Sequence, residues 1–180
     1  MNFRIFRALV VACIGTSVVL SQTTTLQFVA LADNTLYEDP SGLLSNGAGQ
    51  YLFVGQTSSG AVRRALVAFD TSAIPAGSRV TDVQLRLTST QSIAAGPMQT
   101  TLHRVEANWG EGASVAGGGE GGGGLALPGD ATWTHAILPG AAWTNLGGDF
   151  EAVPSSTTTM PVTGTFTFEK TVELIADVQD

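Results

Sequence analysis

Three tryptophans, Trp109, Trp133 and Trp143, and five carboxylates, Glu111, Glu120, Asp130, Asp149 and Glu151, fall between positions 109 and 151 of this 180-residue chain. The two sets point to different chemistries. A flat indole can pack on the apolar C–H face of a sugar while its N–H bonds a hydroxyl, so the tryptophans are candidate carbohydrate-binding residues. The competing role is structural, since tryptophan is highly buried on average. Trp109 and Trp133 are read first as structural, whereas Trp143, preceded by Pro139-Gly140-Ala141-Ala142, is expected to be the most exposed.

Two carboxylates at a defined separation would suit a glycosidase, but sequence does not measure that separation and loop acids are usually solvated or capping. Calcium is a more natural use of such residues, because it takes six to eight oxygens from carboxylates and carbonyls. Asp33, Asp39 and Asp149 are the metal candidates, with no EF-hand pattern among them, so a structural calcium is an option and no cofactor is required. His103 and His135 are the two histidines, too few for a zinc site without carboxylates, and no GxSxG elbow occurs. Gly119, Gly121 and Gly124 spell GxGxxG without a strand-to-helix setting or a following Gly-Lys, so no nucleotide site is expected. No catalytic residue is assigned.

These side chains need a scaffold, and the start of the chain says where that scaffold works. Arg4 and Arg7 precede an apolar run from Ala8 to Leu20, then a polar stretch leads to Ala30-Leu31-Ala32, the layout of a secretory leader cut after Ala32. The apolar run is 13 residues, short of the roughly 20 a spanning helix needs. A lipoprotein-type box at Val10-Val11-Ala12-Cys13 is the alternative processing signal. Residues 1–32 are therefore expected to be a signal peptide and residues 33–180 a single domain that is secreted, extracellular or at the cell surface, with the periplasm as the alternative compartment. All 15 acidic residues and six of the eight basic ones follow Ala32, a net charge of −9, which disfavours nucleic acid and anionic membranes as partners. Cys13 is the sole cysteine, so an exported domain would hold together without a disulfide.

The scaffold itself is legible in periodicity. Val83, Leu85 and Leu87 alternate with Asp82, Gln84 and Arg86, the period of a half-buried strand. Upstream, Ala65, Val67 and Phe69 alternate with Leu66, Ala68 and Asp70, more nearly apolar on both faces, which predicts a central strand. Ile74-Pro75-Ala76-Gly77 forms the turn between them, and Asp70, Thr71 and Ser72 can bond nearby amides where the first strand ends. Further strands are expected at Tyr51 to Val54, Thr100 to Ala107, Thr132 to Ile137 and Thr165 to Phe168, and a short helix at Val172 to Val178 with Val172, Ile175, Ala176 and Val178 on one side. Gly117 to Gly124, GGGEGGGG, is expected to be a mobile loop. Many short strands without interleaved long helices predict an all-β fold, a jelly-roll β-sandwich of antiparallel strands.

Arg63 to Asp70, Ile74-Pro75-Ala76-Gly77 and the Val83/Leu85/Leu87 strand together resemble the DNRLRE-type domains of secreted bacterial and archaeal proteins, and are similar to carbohydrate-binding module family 96 and disaggregatase-related repeats. Leu102 to Val105, Asn108 to Gly112, Gly129 to Trp133, Trp143-Thr144 and Gly147 to Phe150 extend the resemblance over most of Asp33 to Asp180. It implies a jelly-roll sandwich outside the cell, often appended to further domains and, in relatives, binding polysaccharide such as alginate. Leu146 stands where proline is expected, and relatives continue beyond the position of Asp180 through one or two strands, so the domain is expected to be truncated at its C-terminus.

The expected function is therefore an exported non-catalytic module that binds polysaccharide or a cell-surface glycan. A cell-surface structural or adhesion domain without a sugar site is the alternative. A polysaccharide hydrolase or lyase is the third reading.

Overall fold

The computed structural model describes residues 2–4, 9–14 and 23–179. Its backbone is built from antiparallel strands and one short helix, so the chain is an all-β antiparallel sandwich. One sheet holds β1 (Asn2–Arg4), β2 (Leu9–Ile14), β3 (Thr23–Phe28), β6 (Leu52–Phe53), β9 (Arg79–Gln91) and β13 (Gly164–Phe168). A second holds β4 (Ala30–Tyr37), β7 (Gly55–Gln56) and β8 (Val62–Phe69) in the order β4-β8-β7. Two small ladders join β10 (Met98–Leu102) to β12 (Ser156–Met160), and β5 (Leu44–Ser45) to β11 (Gly124–Leu125).

The strand expected to be central is central: β8 lies between β4 and β7. Its apolar residues serve two cores, as the period-2 pattern requires of a strand covered on both faces. Ala65, Val67 and Phe69 pack toward Leu52, Leu85, Met160, Phe166 and Phe168, between the sheets. Leu66 packs the other way, with Leu36, Ala131, Trp133, Ala136 and Trp143. The two strands of the Arg63 to Leu87 segment do not pair with each other; they belong to different sheets. The Pro75-Gly77 turn is therefore an arch over the core, closed by Ile74 N–H on Thr71 O (2.9 Å) and Ser78 N–H on Pro75 O (3.0 Å), with Gly77 at φ 78°. Asp70 accepts from Ser72 N–H at 2.9 Å, as its position at the strand end suggested.

In β9 the pairing partner of Ala12 is Asp82 but that of Cys13 is Val80, a register shift. The extra residue lets Val80 and Val83 both point inward with Phe28 and Leu174, although their spacing breaks strict alternation. The expected helix is present as α1 (Val172–Gln179), with Thr171 Oγ1 accepting Leu174 N–H at 2.9 Å as its N-cap. Ile175 and Val178 of the expected side pack beside buried Leu174, while Val172, expected with them, is 77% exposed. The strand expected at Thr132 to Ile137 is instead a compact loop, in which His135 makes a single bridge to Ala142. Strand β10 stops at Leu102, short of the expected Ala107.

The leader expected at residues 1–32 lies partly outside the described residues. Its described parts are β1, β2, β3 and the beginning of β4; Ala32 and Asp33, which flank the expected cut, pair with Ala68 and Val67 of β8. No helix among the described residues is long and apolar enough to cross a membrane.

Candidate functional site

Residues 105–150 lie over the outer face of the β4-β8-β7 sheet as an irregular third layer, and the tryptophans build it. Trp133 and Trp143 are 7% and 6% exposed. The indole N–H of Trp143 donates to Thr132 O at 2.8 Å within the protein, leaving no polar edge for a sugar. This corrects the expectation that Trp143 is the most exposed of the three: the Pro139-Gly140 turn before it folds back over the layer, with Ile137 N–H on Ala141 O, and directs the ring inward. Trp133 is covered by the Arg64 guanidinium, 5.1 Å from its ring centroid. Trp109 is half-buried and packs at the edge of the same cluster.

The loop carboxylates are occupied too. Glu120, in the middle of the glycine run, is 8% exposed at φ 63° and accepts from Asn46 Nδ2 (3.0 Å), Gln50 N–H (3.0 Å) and Tyr51 N–H (3.0 Å). Its carbonyl accepts the Tyr37 hydroxyl at 2.9 Å. The loop expected to be mobile is thus anchored through its one charged residue, and Gly121 and Gly123 lie close against Phe53 and Tyr37, where a larger residue would crowd the rings. Asp130, fully buried, accepts from Leu127 N–H (2.6 Å) and Ser114 N–H (3.3 Å). Buried Asn34 and Asn46 complete the layer: Asn34 Nδ2 donates to Ser45 Oγ (2.9 Å) and Glu111 O (2.8 Å), and Asn46 Oδ1 accepts Ala116 N–H (2.8 Å). Buried polar groups must be satisfied, and here they satisfy the backbone of loops that have no ladder of their own.

The metal candidates have separate tasks. Asp39 accepts from the Ser41 hydroxyl and from Leu43 N–H (3.3 Å), and its Ser41 bond holds its carboxyl below the usual carboxylate range. Asp149 accepts from Thr144 N–H (2.7 Å) and Asn145 N–H (2.8 Å), which keeps its carboxyl low. Asp33 stands beside Glu111, whose Oε1 accepts Asp33 N–H at 3.0 Å; burial, and then the Glu111 charge, push the Asp33 carboxyl up to about 6. Among the described residues no group of three or more His, Cys, Asp or Glu side chains is placed to hold a metal.

Among the described residues a cleft of about 480 Å³ lies between β7-β8 and β10, closed at one end by the turn through Gly147 to Phe150. Its floor is apolar, from Val54, Ala65, Leu102, Val105 and Met160. Its rim is polar, from Gln56, Gln99, Thr100, Thr101 and His103. The turn is held by Arg64: Nη1 donates to Gly147 O at 2.6 Å, and the guanidinium lies 4.9 Å from the Phe150 ring centroid as well as over Trp133. Gly147, at φ 84°, has no room for a Cβ, which would come within 2.6 Å of both Arg64 and Trp133. Burial lowers the Arg64 guanidinium from its usual value.

His103 is fixed from both sides, Nδ1 at 2.8 Å from Glu151 O and Nε2 at 3.1 Å from Thr101 Oγ1. The Glu151 carbonyl can only accept, so Nδ1 carries the proton toward it and Nε2 is free to accept the threonine hydroxyl. Among the cleft's lining residues the carboxylate is Asp149, already bonded to two amides of its own turn. The arrangement offers amide, hydroxyl and imidazole hydrogen bonding above an apolar floor. It offers no paired acid and base. Sequence reasoning passed over these rim residues because Gln56, Gln99 and Thr101 carry no motif; only their convergence from two sheets distinguishes them.

Compared with protein-family models, with curated proteins and with solved structures, the chain matches none.

Proposed function

We propose that the chain is an exported, non-catalytic module that binds polysaccharide, with residues 1–32 its secretory leader and the β7-β8/β10 cleft its glycan site. The observation that carries this reading is the cleft. Its volume of about 480 Å³ suits one or two sugar rings, its apolar floor suits their C–H faces, and its rim presents donors and acceptors to their hydroxyls. The commitment of Glu120, Asp130 and Asp149 to backbone amides supports binding without turnover. The resemblance to DNRLRE-type and family 96 carbohydrate-binding domains points the same way.

The site proposed here differs from the tryptophan platform expected from sequence. Burial of Trp133 and Trp143 favours a second reading, a cell-surface structural or adhesion domain in which the sandwich is a spacer. A glycan array probed with the exported protein separates the two. Retention of a defined polysaccharide is expected, weakened about tenfold by Gln99→Ala and similarly by Thr101→Ala, the size of one neutral hydrogen bond. No retained glycan, or retention indifferent to both substitutions, would favour the spacer.

A further inference from the structure

The two edges of β9 are closed by unlike parts of the chain. On one, β13 pairs along Leu85 to Ser89, and the Gln179 side chain of α1 bonds the beginning of the strand, its Oε1 accepting Val80 N–H at 2.8 Å and its Nε2 donating to Ser78 O at 3.2 Å. On the other, the pairing partners are β2, along Arg79 to Leu85, and β1, along Thr88 to Gln91. Both come from the segment with the leader pattern. A cut after Ala32 would remove them together with β3 and its buried Phe28. The strand so bared is 13 residues long and carries Val80, Val83 and Leu85 on its inner face. An open edge of that length is a ready template for another strand.

Resting on the export reading, we infer that the bared edge of β9 pairs antiparallel with β9 of a second copy, so that the processed protein is a two-fold dimer with a sheet continuous across it. Charge selects the partner. A two-fold axis at Gln84 sets Asp82 opposite Arg86 twice, once on each side, Val83 opposite Leu85 twice, and Gln84 opposite its own copy, so no like charges face each other across the axis. With β2 in place Asp82 lies opposite Ala12 and is ion-paired with Lys170, whose Nζ is 4.0 Å from its Oδ1. An arginine brought across the axis gives Asp82 a second cation. Arg86 is exposed and on the same face.

The test uses the protein as exported. Mass spectrometry reads its N-terminus, and sedimentation follows its association across the micromolar range. An N-terminus at Asp33 and a dimer are expected; Arg86→Asp raises the dimer dissociation constant about tenfold or more, and Asp82→Arg combined with Arg86→Asp restores it. Because Arg86 is exposed, its replacement leaves the fold intact, which circular dichroism checks. A processed chain that stays monomeric, or a dimer indifferent to Arg86→Asp, overturns the pairing. An uncut N-terminus overturns it by a separate readout, since residues 9–14 then keep the edge. Glycan retention at the cleft does not depend on any of these results.

Discussion

The inter-sheet core and the layer over residues 105–150 solve the same problem by opposite means. Between the sheets, apolar side chains at period 2 from β8, β9 and β13 face one another, and the backbone is satisfied by ladders. In the outer layer and the 46–51 loop it clasps, the backbone has almost no ladder, and its amides and carbonyls are met by a few buried polar side chains, Glu120, Asp130, Asn34 and Asn46, with Trp133 and Trp143 as filling. The comparison teaches that a loop-rich region can be as well determined as a sheet when each polar group carries several backbone bonds. It also separates residues that hold the molecule from those left uncommitted at its surface.

The largest test of that separation is Trp143→Ala. If the ring is filling, its loss costs about 3 to 5 kcal/mol, read by denaturant unfolding, through the cavity it leaves. A variant of unchanged stability would return Trp143 to the surface and blur the contrast between layers. Next is Glu120→Ala, which strands an amide side chain and two backbone N–H groups at once; a loss of about 3 kcal/mol is expected, with Glu120→Gln retaining part of it. In the sheet core, Leu85→Ala is expected to cost about 3 kcal/mol, so equality with Glu120→Ala would show that one anchoring carboxylate is worth one core leucine.

The smallest effect is one of pH. The Asp33 carboxyl titrates near 6 in the folded chain against 3.8 ordinarily, so the folded state holds the proton more tightly than the unfolded state. Stability therefore falls as pH rises from about 4 to about 6 and is level above that. Full conversion of the shift would give about 3 kcal/mol, but this carboxyl is half-exposed and solvent screening reduces it to about 1 kcal/mol. In the 180-residue chain Asp33→Asn is expected to stabilise by about that amount at pH 7 and to flatten the decline, measured by urea midpoints across the range. A midpoint that does not move on substitution would mean that neither the burial of the carboxyl nor the Glu111 charge is felt.

The sheets were largely legible in the sequence because period 2 follows directly from strand geometry. Val83, Leu85 and Leu87 announced β9, and the two-faced apolar run of β8 announced a central strand. Their assignment to different sheets was not legible, since a turn sequence does not say whether it closes a hairpin or an arch. The bulge that turns Val80 inward breaks the very period that would reveal it. Alternation also misled: Thr132 to Ile137 alternates by type, yet its hydroxyls serve local backbone, with Thr134 N–H and His135 N–H both on Thr132 Oγ1, so it coils. In the outer layer Trp143, expected to be the most exposed tryptophan, is 6% exposed and packs within the layer. Glu120 had one visible signal, a lone charge in a run of glycines, whose composition otherwise argued for mobility. The cleft had none, because its rim converges from residues far apart in the chain.

Native-state hydrogen exchange of individual amides tests the central claim, that the outer layer is fixed as firmly as the sheets. The amides of Gln50 and Tyr51 on Glu120, Ala116 on Asn46 and Leu127 on Asp130 are predicted to exchange only through the same global opening as those of Val83 and Leu85 in β9. Exchange of those four amides at rates of open loops, while β9 stays protected, would contradict it.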